Sequence, residues 1–226
     1  MIEIKLRPKY FCGDEASTFS MVARCPKTLA LGVCVSSASL AVGSVVPHIE
    51  PNVCVLAVQG YTNYFHGVIG LKLVSSGFPP EEALKRLLDG DPLREMRQIS
   101  IIDVFGRRAA FTGGETLEWR GHIVREDCIA AGNALTSGKV LEAMIEAFEG
   151  SDGEWLAERL MMALEAGHRA GGDRRGARSA ALLMAEREPI HESRPIINLR
   201  VDYHNEPVKE LRRIFEVYKV WLHIVR

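Results

Sequence analysis

The sequence predicts an α+β protein. Two mainly antiparallel β-sheets pack face to face with helices outside, giving a four-layer αββα sandwich. Three observations carry this expectation. The elements come in groups (strands, two helices, strands, two helices, strands, one helix), and such grouping segregates helices from sheets instead of alternating βαβ units. Tight turns join most of the strands, which suits antiparallel pairing. Residues 29–36, 41–46 and 53–59 are near-continuously apolar, so strands there are expected to be buried on both faces.

Taken in order, residues 1–17 form a leader in which Ile2, Ile4 and Leu6 alternate with charges, the pattern of a short edge strand. A single domain over residues 18–226 is expected to follow. Residues 18–24 make its first strand, with Phe19, Met21 and Ala23 on one side. Pro26-Lys27 turns the chain into residues 29–36, a hairpin partner, and residues 41–46 and 53–59 continue the β character. Residues 64–76 form a helix carrying Val68, Leu71 and Val74 and stopping at Gly77. The next helix, residues 80–89, opens on Pro80, Glu81 and Glu82 and ends before Gly90, the usual asymmetry of helix ends.

Strands return over residues 99–104 and 108–112, with weaker ones over 119–124 and 128–132. Ser137 is expected to cap a helix whose Val140, Leu141, Met144, Ile145 and Phe148 share one face. Asp152 is expected to cap the next, which buries Trp155, Leu156, Leu160 and Leu164. Residues 177–185 and 196–203 are strands, and Asn205 opens a last helix. That helix has Leu211, Ile214, Phe215, Tyr218 and Leu222 at helical spacing, with Val217, Val220 and Trp221 on other sides. One sheet cannot cover so much apolar surface, so a homodimer contact is expected there.

Bulk properties exclude several classes. A net charge of -1 argues against non-specific nucleic-acid binding, which needs a basic face. No run approaches the length of a membrane span, and the charged N-terminus, interrupted by Pro8, is no secretory signal. Five cysteines without a CxxC pair argue against zinc. No His, Cys, Asp and Glu set shows metal spacing, so no metal or cofactor is expected. Unpaired thiols in a reducing cytoplasm are the expected state.

The densest chemistry lies in Gly171-Gly172-Asp173-Arg174-Arg175-Gly176-Ala177-Arg178. Arg174, Arg175 and Arg178 suit a substrate carboxylate, and Asp173 a substrate amine. The plain alternative is a polar surface turn whose arginines pair with neighbouring acids. A phosphate loop is disfavoured, because the Lys-Ser/Thr end of a Walker motif is missing. Gln59 and Asn63 follow an apolar strand and could line a cleft. Asn133, at a strand end after Gly132, is either an oxyanion donor or a turn residue. His66 and His122 are read as structural.

Thr18-Phe19-Ser20-Met21-Val22-Ala23-Arg24, Leu31-Gly32-Val33-Cys34-Val35, Val42-Gly43-Ser44-Val45-Val46-Pro47 and Ala57-Val58-Gln59 form an ordered set. It continues with Gly121-His122, Gly132-Asn133, the glycine-arginine loop and Asn198-Leu199-Arg200-Val201-Asp202. Together these resemble the family called domain of unknown function 1028, over residues 18 to about 223. The resemblance implies an N-terminal-nucleophile hydrolase-like fold and no established substrate, with Thr18 as the residue matching the nucleophile of that fold. Taken with the residue chemistry above, the expectation is an amidohydrolase acting on a small carboxylate-bearing amide, with Asn133 as oxyanion donor and Gln59, Asn63, Asp173, Arg174, Arg175 and Arg178 contacting the substrate. The chemistry requires Thr18 to own a free α-amine, which is basic enough to take the hydroxyl proton. Residues 1–17 precede Thr18, so the Ser17–Thr18 bond would have to break first. Proteasome-like relatives of the fold carry a lysine near the end of the second strand, where this chain has Ser36, Ser37 and Ser39. The competing expectation is a non-catalytic ligand-binding or scaffold protein that keeps the fold.

Overall fold

The structure, a computed structural model, describes residues 18–187 and 197–225; the expected leader strand and Cys12 lie outside these residues. One sheet has six strands in the order β10 (Ile197–Val201), β9 (Ser179–Ala185), β2 (Leu31–Ser37), β1 (Thr18–Arg24), β8 (Cys128–Asn133) and β7 (Gly121–Val124). The other has four, in the order β3 (Pro47–Glu50), β4 (Cys54–Gly60), β5 (Arg97–Asp103) and β6 (Arg108–Thr112). All strand pairs among the described residues are antiparallel, and β1 lies inside the larger sheet as the apolar content of its two faces requires.

The two-residue period of the strands sorts side chains into layers. Phe19, Met21 and Ala23 point outward into a core shared with α3 (Lys139–Glu149), α4 (Leu156–Arg169) and α5 (Pro207–Val225). Val22, Val33, Val35 and Ile129 point inward and meet Val55, Ala57 and Ile102 of the smaller sheet. On the far side Leu56, Val58, Ile99 and Ile101 pack against α1 (Tyr64–Ser75) and α2 (Pro80–Asp89). The result is the four-layer αββα sandwich. Phe19, Phe148 and Phe215 are fully buried, and each such ring contributes about 1.5–3 kcal/mol of transfer energy.

Four local expectations shift. Residues 41–46 are not a strand: Val42–Ser44 form a 3-10 turn entered through Ala41 at φ 52. Remote groups hold that turn, since Ala41 N donates to Asp202 O and Val42 N to Ser179 Oγ. Ser137 does not cap α3 with its side chain; Gly138 holds the cap position and the Ser137 carbonyl accepts from Val140 N. Trp155 replaces Asp152 at the α4 cap, because burial of Leu156 and Ala157 sets where that helix starts. The last helix starts at Pro207 instead of Asn205, and proline suits a first turn whose N–H has no helical partner.

Helix α5 buries Leu211, Phe215 and Leu222 while Val217, Val220 and Trp221 stay more than half exposed. Cys25, Cys34, Cys54 and Cys128 are free thiols, and burial pushes Cys34, Cys54 and Cys128 up to about 12. No described helix is long and apolar enough to cross a membrane.

Candidate functional site

Thr18 heads β1 and shares the face of Ser20 and Val22, which looks into the layer between the sheets. In register it lies opposite Ser37 of β2 and Asn133 of β8. Directly opposed residues in an antiparallel pair project to the same face. One end of an otherwise apolar layer therefore becomes polar. Thr18 is only 4% exposed, and Ser20, Ser37, Gln59, Gln98 and Asn133 are equally buried.

Buried polar groups call for hydrogen-bond partners, and these fall into two sets, one around Ser37 and one around Gln98. Thr18 Oγ1 donates to Ser37 Oγ at 3.2 Å, and Ser37 Oγ also accepts from Ser39 N at 3.0 Å. Ser20 Oγ donates to Gln59 Oε1 at 2.7 Å, joining the two sheets. Gln59 Nε2 donates to Gln98 Oε1 at 2.7 Å, and Asn133 Nδ2 donates to the same oxygen at 3.0 Å. Gln98 Nε2 is shared among Thr112 Oγ1, Gly121 O and Gly132 O. Thr112 Oγ1 continues to His122 Nδ1 at 2.8 Å, and burial holds the His122 pKa below its ordinary value.

Gln98 is the residue that sequence reasoning missed. It faces Gln59 in the β4–β5 register, so two glutamines meet inside fully buried strands. A buried amide in an apolar strand was the available signal, although its partners sit on other strands.

The glycine-arginine loop approaches the Thr18 end through backbone bonds. Arg178 N donates to Ser37 O at 2.7 Å, and Leu135, two residues beyond Asn133, forms an isolated bridge with Asp173. Between them Ala134 takes φ 49, a left-handed conformation that costs a non-glycine residue about 1–3 kcal/mol. Its carbonyl accepts from Arg174 N, so this strained turn ties the end of β8 to the loop.

The side chains of the loop serve different purposes. Asp173 is buried; its Oδ2 accepts from Ala38 N at 2.7 Å and its Oδ1 from Arg175 N at 2.9 Å. It thus fixes the loop against the chain leaving β2. Arg174, Arg175 and Arg178 are exposed, and Arg178 Nη1 donates to Asn205 Oδ1 at 3.1 Å. Asn63 stands apart from the Gln59 bonds: its side chain caps α1 by accepting from Phe65 N. Thr18 and Asn133 are therefore register partners, Asn133 and Gln59 share Gln98 Oε1, and Asp173 stands at the border of this end of the layer. No group of three or more His, Cys, Asp or Glu among the described residues could hold a metal ion.

A face-to-face pair of antiparallel sheets between helix layers, with a buried threonine heading a central strand, defines the class: a four-layer αββα sandwich with a polar end to its inter-sheet layer. Residues 18–211 match the model of the family described as "Family of unknown function (DUF1028)", and the chain belongs to that family. Protein SPO2555 from Silicibacter pomeroyi, a crystal structure assigned to the same family model, is 36% identical. The match covers 88% of this chain and 85% of that one, with a TM-score of 0.80. Anbu, the ancestral beta-subunit from Yersinia bercovieri, is 9% identical with a TM-score of 0.40, covering 91% of this chain and 96% of that one. No curated protein matches the chain.

Proposed function

We propose that the Thr18 end of the inter-sheet layer is a hydrolytic site for a small amide carrying a carboxylate. The observation that carries the reading is the gathering of Thr18, Ser37 and Asn133 in one register row. Once the Ser17–Thr18 bond is broken, Thr18 Oγ1 attacks the amide carbonyl while its proton passes to the new α-amine. The tetrahedral oxyanion is met by Asn133; collapse expels the amine, which takes the proton, and leaves an ester on Thr18. Water then hydrolyses that ester and restores the hydroxyl. Arg174, Arg175 and Arg178 hold the carboxylate at the border of the site.

The test compares a chain beginning at Thr18 with its Thr18→Ala variant on a panel of N-acetyl amino acids and primary amides. Hydrolysis by the first and not the second is expected; equal silence in both would sink the reading. The intact mass of the 226-residue protein is expected to be that of the uncleaved chain.

A second reading is a ligand-binding protein without chemistry. It is favoured by the neutral hydroxyl of Ser37, which stands opposite Thr18 and accepts its hydrogen bond. Ligand binding by the full chain, unaffected by Thr18→Ala, would select it. We further propose a homodimer through Val217, Val220 and Trp221, to be checked by light scattering of the Trp221→Glu variant, and a cytoplasmic location, supported by the free thiols.

A further inference from the structure

Strand β6 is the last strand of the smaller sheet and pairs on one flank only, with β5. The register shows which of its backbone groups that pairing uses. Gly113 N donates to Arg97 O and Asp103 N donates to Arg107 O, each continuing the β5–β6 register. Bonded pairs alternate along an antiparallel ladder, so Phe111 bonds Ile99 and Ala109 bonds Ile101. The bond from Val104 N to Val53 O agrees, since it turns the intervening positions of β5 toward β4. The backbone N–H and C=O of Arg108, Ala110 and Thr112 therefore point away from the sheet. None of these groups has a hydrogen-bond partner among the described residues. Strand β7 of the larger sheet passes beneath the inner face of β6, where Thr112 Oγ1 meets His122 Nδ1, without forming a ladder with it.

An open edge is a template for another strand, and proteins that avoid such pairing guard it with lysine, proline or a bulge. The centre of β6 is Ala109-Ala110-Phe111, half-buried and without such a guard. The strand also matches itself. Set antiparallel to a copy about a two-fold axis at Ala110, Ala110 bonds the partner's Ala110 and Arg108 bonds the partner's Thr112. Every open backbone group of β6 is then satisfied. On the face toward α2, Phe111 stands opposite the partner's Ala109, large against small. On the inner face Arg108 stands opposite the partner's Thr112, so no like charges are opposed. A cavity of about 620 Å³ between α2 and β6 lies beside Ala109 and Phe111 and has Leu84 and Leu88 in its wall. The partner's Phe111 fits it. Its rim carries Glu81, Lys85 and Asp89 of α2, with the signs alternating, and Arg94 and Glu95, which pair at 3.5 Å. That rim presents no single charge to repel a copy.

We propose that β6 is a homodimer interface, where two copies pair edge to edge and the smaller sheet runs continuously through both. The occupant is a second copy because the same short strand supplies both halves of the match. The surface lies on the smaller sheet, away from Val217, Val220 and Trp221 of α5, and is independent of the Thr18 reading.

The experiment takes the full chain and its Trp221→Glu variant, which removes any α5 contact, through sedimentation velocity and amide hydrogen exchange across the micromolar range. Both are expected to dimerise through β6. The amides of Arg108, Ala110 and Thr112 should exchange at least about tenfold faster on dilution to the monomer. Ala110→Pro in the variant removes the central donor and sets a ring against the partner strand. An edge strand tolerates proline where its N–H faces outward, so the fold should persist while the dimer is lost. A Trp221→Glu chain that stays monomeric, or a folded Ala110→Pro chain that still dimerises, would overturn the proposal. So would exchange at Ala110 that ignores concentration, a reading that stands whether or not the proline variant folds.

Discussion

Thr18 Oγ1 donates a 3.2 Å hydrogen bond to Ser37 Oγ, so the first two strands are joined at their polar end by a pair of buried hydroxyls. Ser37 Oγ simultaneously receives Ser39 N and so holds the chain where it leaves β2. Ser37→Ala leaves both donors without that acceptor. The variant is expected to lose about 1–3 kcal/mol of stability, read as a lower urea midpoint with an unchanged slope.

Gln98 joins the sheets through Gln59, Asn133, Thr112 and two backbone carbonyls. Gln98→Leu preserves much of the volume but strands several buried polar groups. A loss of at least about 2 kcal/mol is expected in urea unfolding, and a stability equal to the parent would contradict the bonded network.

Asp173 accepts backbone N–H groups from Ala38 and Arg175 across two loops. Asp173→Ala should cost about 2 kcal/mol and speed hydrogen exchange at Ala38 N. Asp173→Asn keeps one acceptor oxygen and should cost less. Equal cost in the two variants would mean the carboxylate bonds are not what holds the loop.

Burial lowers the pKa of His48, His66 and His122 from the ordinary 6.5. The unfolded chain then binds protons that the folded chain refuses. Stability from these groups is complete above about pH 6.5 and is lost as pH falls below it toward the lowered folded values. The urea midpoint is therefore expected to be lower at pH 5.5 than at pH 8. Asp91 adds nothing in this window. Burial alone would raise its carboxyl, but Arg97 holds it below the usual value, so its contribution is lost only in stronger acid.

Local pattern was enough to place most elements and the sandwich itself. The apolar runs of β1, β2, β4 and β9 announce strands buried on both faces, and Pro80-Glu81-Glu82 announces the start of α2 within the chain. These features depend on neighbours a few residues apart, which a sequence displays directly. The sequence also determined that Thr18 and Asn133 sit at strand ends, without saying that they share a row.

Tertiary structure alone decided the rest. Ser20 meets Gln59 across 39 residues and Gln98 meets Asn133 across 35, and both contacts exist only because two sheets stack in one register. The 3-10 turn at Val42–Ser44 replaced an expected strand because Ser179 and Asp202, far along the chain, bind its backbone. Asp173 became a loop fastener because Ala38 N lies beside it. Hydrogen bonds are short-ranged and directional, so their partners follow from packing, whereas hydrophobic period follows from local geometry and can be read before the chain folds.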